Sequence, residues 1–447
     1  MPVERSLARV LSFGRSVLDS RTSKNLVMYA VYQALRYVAP IVLTPFLART
    51  LHREQFGDLA VLNSCIWTST VFMEFGFYLY GVSKTAAAAS REELSRTLTS
   101  ITLCKAMLAP VALAAYVGLA AWTGLLFRNP QVVAIGALSA IGYGASFAWF
   151  FQGQQRGGTA VMTEAIPQAI YCALVLMLVR GPGDLWLAAL TQTVPPVISL
   201  AVALVLVHRS GLLGRFDLSA VRSVLFEAMP YFVERFCFTL YAAVTPALIA
   251  VLATASQAAY YSIGDRFNQF LGTLSLPVFQ AIIPFVSKRV RRTGGGWRLS
   301  LSVVAAVTLS VGAAAAVMFA AAGFIVKRFF SSDFQPAIAV SRLCCVNASI
   351  SALGMALANI VIIPRNAARV MLLSSTMALV FGLVAQVILV PGYGAVGAAL
   401  SRGISEMTVT SVLGVVVVRM LIRDVKTSAG KSDRLHTADS SLVCERS

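Results

Sequence analysis

The sequence predicts an all-α integral membrane protein, with about twelve transmembrane helices in two six-helix lobes related by a parallel repeat around a central cavity. Three observations lead there. The 447 residues are 57% hydrophobic and only 13% charged, with a mean hydropathy of +0.76, whereas soluble domains run at about 45–50% and about 25%. Apolar runs long enough to span a bilayer, roughly 20 residues each, recur along nearly the whole chain. The basic residues gather in the short segments between those runs.

Taken in order, the expected spans are 26–49, 58–82, 101–123, 131–153, 159–179, 184–207, 224–252, 259–287, 299–326, 334–363, 368–390 and 395–422. Of the 37 Lys and Arg, 24 lie on the side of the N-terminus, six lie opposite and seven fall within spans, which predicts both termini to be cytoplasmic. The domain plan is a cytoplasmic segment 1–24, a six-helix lobe 25–207, a cytoplasmic loop 208–223, a second lobe 224–422 and a polar, disordered cytoplasmic tail 423–447. Thr44-Pro45 with Leu47 and Leu51 lines up with Thr245-Pro246, Leu248 and Leu252 at an offset of 201, which suggests a duplication. Six helices is an even number, so both halves enter the membrane in the same sense, and a substrate site is expected between them near the midplane.

The net charge of +18 does not mark a nucleic-acid binder, because the basic residues flank hydrophobic runs and form no patch on a soluble face. Cys65, Cys104, Cys172, Cys237, Cys344 and Cys345 lie within apolar segments without metal-ligand spacing, and read as free thiols packed as small hydrophobes. Five basic residues occupy the first 24 positions with no apolar region among them, which argues against a cleavable signal peptide.

A charge at the centre of a span costs about 2.5–3.5 kcal/mol, so the seven basic residues within spans need a wet cavity, a partner or an interface. They are Arg36, Lys105, Arg235, Arg266, Arg342, Arg402 and Arg419. Arg419 and Lys105 lie near helix ends and can snorkel. Arg36 and Arg235 sit at mid-membrane depth and at nearly equivalent places in the repeat. Gln33 shares a polar stripe with Arg36, and Glu227, Tyr231, Glu234, Phe238, Tyr241 and Thr245 form a second stripe beside Arg235. Both stripes are expected to line an aqueous route. Among the acids, Glu406 is four residues after Arg402 and is expected to pair with it, whereas adjacent Asp265 and Arg266 need other partners. Glu74 and Glu234 are candidates for ion coupling or for charge pairing, Glu74 across helices with Arg36. The excess of cationic groups favours an anionic ligand, since guanidinium forks match phosphate oxygens.

The chain resembles the Wzx-type oligosaccharide (O-antigen and polysaccharide) flippases of the MATE-related exporter superfamily. The resemblance rests on Asn25, Tyr29, Gln33, Pro40, Pro45 and Arg49 with Phe56-Gly57; on Phe75-Gly76-Phe77 to Tyr80-Gly81-Val82; and on Trp149-Phe150-Phe151-Gln152-Gly153. It continues through Pro230-Tyr231-Phe232, Tyr260 to Arg266, Pro277 and Pro284, then Pro391 to Ala399 with Glu406. Gln154-Gln155 departs from the family's usual Leu-Glu. The resemblance implies a non-enzymatic flippase moving an undecaprenyl-pyrophosphate-linked oligosaccharide to the periplasmic leaflet of the bacterial inner membrane by alternating access. The in-span charges and stripes supply the candidate lining of its cavity: Arg36, Arg235, Arg266, Arg342, Arg402, Lys105, Gln33 and Tyr231. Membrane lipids, a polysaccharide polymerase and chain-length machinery are the implied partners, with no nucleic acid, no metal and no cofactor beyond proton or sodium coupling. A drug exporter of the same superfamily is the alternative. A major facilitator fits less well, because Gly81-Val82-Ser83-Lys84 runs into Ala86-Ala87-Ala88-Ala89 where a G-x-x-x-D-R loop would stand. A membrane glycosyltransferase would need a larger outer loop.

Overall fold

Helix ends are set by local chemistry. Ser90 accepts a hydrogen bond from the Glu93 N–H at 3.2 Å, and the Glu93 carboxylate accepts one from the Ala89 N–H at 2.9 Å, a Ser-x-x-Glu start that satisfies otherwise orphaned donors. Pro130 occupies the first turn of its helix, where a missing N–H costs nothing, and Gly211 ends another with a φ of 61°. In the computed structural model the backbone is described for residues 21–154, 159, 161–212, 214, 218–275, 279, 282–283, 286, 296–365 and 367–444. Side chains are described for the same residues except 21–39, 41, 161, 218–219, 234, 238, 368 and 425–444.

The elements run α1 (Arg21–Glu74), α2 (Phe77–Ala87), α3 (Arg91–Trp122), α4 (Leu125–Arg128), α5 (Pro130–Gly144), α6 (Ala148–Gly153), α7 (Ile166–Leu178) and α8 (Leu185–Ser210). They continue with α9 (Leu218–Leu252), α10 (Ala255–Thr273), α11 (Trp297–Phe329), α12 (Ala337–Ala356) and α13 (Ala368–Cys444). No strand occurs among the described residues, as the all-α expectation requires. The expected boundaries appear as breaks inside long helices: His52, at φ 58°, splits α1 between the first two spans, and Gly394, at φ 55°, splits α13 between the last two. Six helical stretches are each long and apolar enough to cross a bilayer, and α9 adds a bent pair. The remaining expected spans fall on the arms of α1, on α7 and on α10. On α11, Leu309, Val317 and Phe324 are about 70% exposed. An outward face so apolar belongs in lipid. The backbone of α13 stays helical to Cys444, through the polar stretch that composition assigns to a disordered tail.

The chain divides into two compact units, one of Met1–Ile263 with Ile325–Pro336 and the other of Gly264–Phe324 with Ala337–Ser447. In the first, Phe77, Leu98, Ile101, Trp149, Phe150 and Phe151 form a buried aromatic and aliphatic core. There α9 docks on α1 through one serine. Pro246 interrupts the α9 ladder; the Ser64 hydroxyl donates to the Ala243 carbonyl and accepts from the Ala247 N–H at 3.2 Å, standing in for the helix's own bond.

In the second unit, Val304, Val307, Ile360, Leu413 and Val417 belong to the core. Polar side chains join α12 to α13 there: Asn347 donates to the Ala399 carbonyl at 2.8 Å and Thr410 to that of Ile350 at 3.2 Å. Such bonds hold helices together in lipid, where apolar contact alone gives little preference. The six cysteines within the described residues are free, and all but half-buried Cys172 are buried.

Candidate functional site

In the first unit the site forms where α1 stops and α2 starts. Phe75 and Gly76 have φ of 43° and 71°, a left-handed step that no straight helix contains. A Cβ on Gly76 would stand 2.5 Å from the Phe232 nitrogen and 2.6 Å from the Tyr231 carbonyl carbon, so only glycine lets α9 pass this close. The contact stacks the Phe75 ring on that of Phe232, with centroids 4.2 Å apart and planes 10° from parallel. One turn on, Gly81 carries the Trp149 ring, which a Cβ would meet at 2.3 Å. Two of the quoted sequence elements, Phe75 to Val82 and Trp149 to Gly153, are therefore a single packed node.

Charged and polar groups surround it. Lys84 pairs with Glu227 at 2.8 Å, and Glu227 also accepts from the Tyr80 hydroxyl at 3.1 Å and the Ser223 hydroxyl at 3.2 Å. Tyr78 donates to the Gln152 side chain. Lys105 is 5% exposed; its ammonium donates to the Ser146 carbonyl at 2.8 Å, in the break between α5 and α6, and the nearby acid acting on it is Glu74. Arg235 is exposed one turn beyond Tyr231 and enters no ion pair among the described residues. Thr245 is fully buried and bonds back to the Tyr241 carbonyl, and Tyr241 is itself buried. That end of the expected stripe is packed rather than open, beside the Ala243 and Ala247 backbone that Ser64 of α1 binds. Arg36, Gln33 and Glu234 lie on helices, but their side chains fall outside the described residues.

In the second unit, α10 and α13 bring Asp265, Arg402 and Glu406 together. Arg402 reaches Asp265 at 2.9 Å and Glu406 at 3.6 Å, with the three side chains 14–21% exposed. The i,i+4 spacing places the second contact; the first answers the need of Asp265 for a partner on another helix. Gln269 completes the group, donating to Asp265 at 2.7 Å and accepting from exposed Arg266 at 2.9 Å. The half-buried trio thus holds two carboxylates and one guanidinium, with a second cation at its rim. Arg342 stands apart, exposed and 5.4 Å from the centre of the Phe319 ring.

Sequence reading passed over Gln269, and over the association of Lys84 and Tyr80 with Glu227. The signals were present, since Gln269 is four residues from Asp265 and Lys84 is four from Tyr80, spacings that share a helix face.

Residues 22–290 match the sequence pattern of the family described as "Polysaccharide biosynthesis protein", well over half of the chain. The chain belongs to that family. As a polysaccharide biosynthesis protein it is 22% identical over 271 residues to a "Putative O-antigen transporter" of Shigella dysenteriae, covering 59% of this chain and 67% of that one. A second relative of the same description, from Escherichia coli (strain K12), is 21% identical over 322 residues, covering 71% and 77%. Among solved structures, an inward-facing multidrug resistance MATE family transporter of the MOP superfamily aligns with a TM-score of 0.67 at 13% identity, over 90% of this chain and 95% of that one. Lipid II flippase MurJ, in an inward closed conformation, aligns at 0.62 and 11%, over 87% and 86%. This chain thus has the all-α membrane transporter fold of those two solved structures.

Proposed function

We propose that this protein is a flippase that carries an undecaprenyl-pyrophosphate-linked oligosaccharide from the cytoplasmic to the periplasmic leaflet of the bacterial inner membrane, for surface polysaccharide biosynthesis. The observation that carries the reading is that a member of a polysaccharide biosynthesis family, with relatives described as O-antigen transporters, exposes Arg235 and Arg266 within its membrane helices. Cations so placed are costly in hydrocarbon and serve where an anionic group must cross. Guanidinium forks suit a pyrophosphate, and in a weakly screened site they hold it more firmly than water would.

The transport is non-enzymatic and works by alternating access; the lipid tail stays in the bilayer while the polar head crosses. Both termini face the cytoplasm, following the distribution of Lys and Arg. A polysaccharide polymerase and chain-length machinery take the product. The Asp265–Arg402–Glu406 trio, with one carboxylate more than its guanidinium balances, is where a coupling proton or sodium ion binds.

The test is surface glycan in a flippase-deleted strain, normalised to membrane protein level. Arg36→Ala and Arg235→Ala abolish export while the protein still inserts, and Arg→Lys keeps part of it. Full export by both alanine variants refutes the phosphate clamp.

A further inference from the structure

At one end of the second unit, three parts of the chain meet on a tryptophan. Trp297 opens α11 and donates through its indole N–H to Asp424 at 2.8 Å, where α13 leaves its apolar stretch. The Arg365 guanidinium, in the turn that precedes α13, lies over the same indole at 3.9 Å from the ring centre. Asp424 also acts electrostatically on Arg365. Beneath the ring, Val370, Met371, Val416 and Met420 pack in the same cluster as Trp297.

This junction gathers cations. Arg298 follows Trp297, Arg369 stands one turn after Arg365, Arg423 precedes Asp424 and Arg419 lies one turn before that; all four are exposed. Within residues 297–303, 363–373 and 415–424 there are five arginines and one acid, and that acid is the one bound to the indole. No ion pair joins Arg298, Arg369 or Arg419 to an acid among the described residues. Two helix starts add to the field: the Ser300 N–H closes the first turn of α11 on Gly296, and the Val370 N–H closes that of α13 on Ala367. Ahead of the α13 closure the Ala367 N–H is taken by the Ile362 carbonyl, so the anion-favouring N–H groups are those of the first helical residues themselves. Directly below, Leu301, Leu373, Val415, Val418 and Ile422 are exposed and apolar.

We propose that this rim, where the starts of α11 and α13 meet the exit of α13 around Trp297, is a binding site for an anionic membrane phospholipid. The apolar surface takes acyl chains, the arginines and helix starts take the phosphate, and the indole clamped between Arg365 and Asp424 fixes the height of the boundary. Positive charges scattered to orient a membrane protein need no common point, whereas the three segments that carry these meet at one ring. Four net positive charges fit a headgroup with two phosphates better than one with a single phosphate, and a zwitterionic headgroup least. The proposal is independent of the transported substrate.

The test is native mass spectrometry of the full chain in detergent, titrated with diphosphatidylglycerol, phosphatidylglycerol and phosphatidylcholine. The intact protein is expected to retain the lipids in that order. The variant Arg298→Gln/Arg369→Gln/Arg419→Gln should lose roughly a hundredfold in diphosphatidylglycerol affinity, at about fivefold per charge, while Arg209→Gln/Arg222→Gln in the first unit should not. If the triple variant does not purify as a monodisperse protein, Arg419→Gln alone, with a loss of about fivefold, decides the matter. Equal retention of phosphatidylcholine, or an equal loss in the control variant, overturns the proposal. So does displacement by inorganic pyrophosphate, which would mark a soluble-phosphate site, or a preference for undecaprenyl pyrophosphate, which would assign the rim to the transported lipid.

Discussion

Removing Arg402 is expected to damage the protein far more than removing either acid it serves. Arg402 holds Asp265 at 2.9 Å and Glu406 at 3.6 Å, and all three side chains are at most 21% exposed. Arg402→Gln leaves two carboxylates facing a neutral amide. Breaking a buried pair from one side costs about 3–5 kcal/mol, because the partner's desolvation goes uncompensated. Two carboxylates bound to one guanidinium also sit roughly 7–8 Å apart, which adds about 2 kcal/mol of repulsion at an effective dielectric near 20. Asp265→Asn and Glu406→Gln each keep one ion pair, so both should be milder, with Asp265→Asn the worse because it gives up the shorter contact. The assay is the thermal unfolding midpoint in detergent together with membrane protein level. Restoring a neutral cluster with Arg402→Met/Asp265→Asn/Glu406→Gln should recover most of the stability. The reasoning fails if Arg402→Gln is no worse than Asp265→Asn, or if the triple replacement recovers nothing.

Three further outcomes are expected. Gly76→Ala should lose about 2–5 kcal/mol, combining a left-handed alanine with a clash against the α9 backbone, whereas Gly118→Ala, with open space around it, should be neutral or slightly stabilising; equal unfolding midpoints for the two would contradict the close approach. Lys105→Met should cost about 1–3 kcal/mol by orphaning the Ser146 carbonyl and uncovering Glu74, and adding Glu74→Gln should return part of it in a double-mutant cycle. Glu227→Gln, with its partner Lys84 about half exposed, should shift the midpoint by under about 1 kcal/mol, and a larger drop would mean that the pair is buried in the working protein.

The helices were legible because hydrophobic length is a strong signal in a bilayer, and the His52 and Gly394 breaks fall in the gaps that charge and glycine had marked. The Arg402–Glu406 contact was legible because both ends lie on one helix face. The contact of Arg402 with Asp265 was not, since 137 residues separate them and no local pattern encodes a long-range partner. Lys105 looked like a snorkelling end charge; the carbonyl that receives it lies 41 residues away, at the break between α5 and α6, which nothing in the sequence around Lys105 marks. The stripe on α9 was read as wet because periodicity gives a face but not its neighbour, and beside buried Tyr241 and Thr245 the α9 backbone is bound by Ser64 of α1. Gly76 and Gly81 were noticed as parts of elements, but that each admits a specific ring or strand of backbone is a property of two helices together.

Ser64 gives α9 an unusual dependence. The rung that closes the helix around Pro246 is owned by another helix, so the local stiffness of α9 and its grip on α1 are a single variable. If α9 straightened enough for Ala247 to reach Ala243 directly, the serine would lose both bonds at once, and the clasp between the helices would open by the same displacement that repaired the ladder. Sliding α9 along α1 likewise uncovers a carbonyl and an N–H inside the bilayer, where no water waits to receive them. A hydroxyl two bonds from its own backbone therefore acts as a gear tooth, converting the shape of one helix into its engagement with the next.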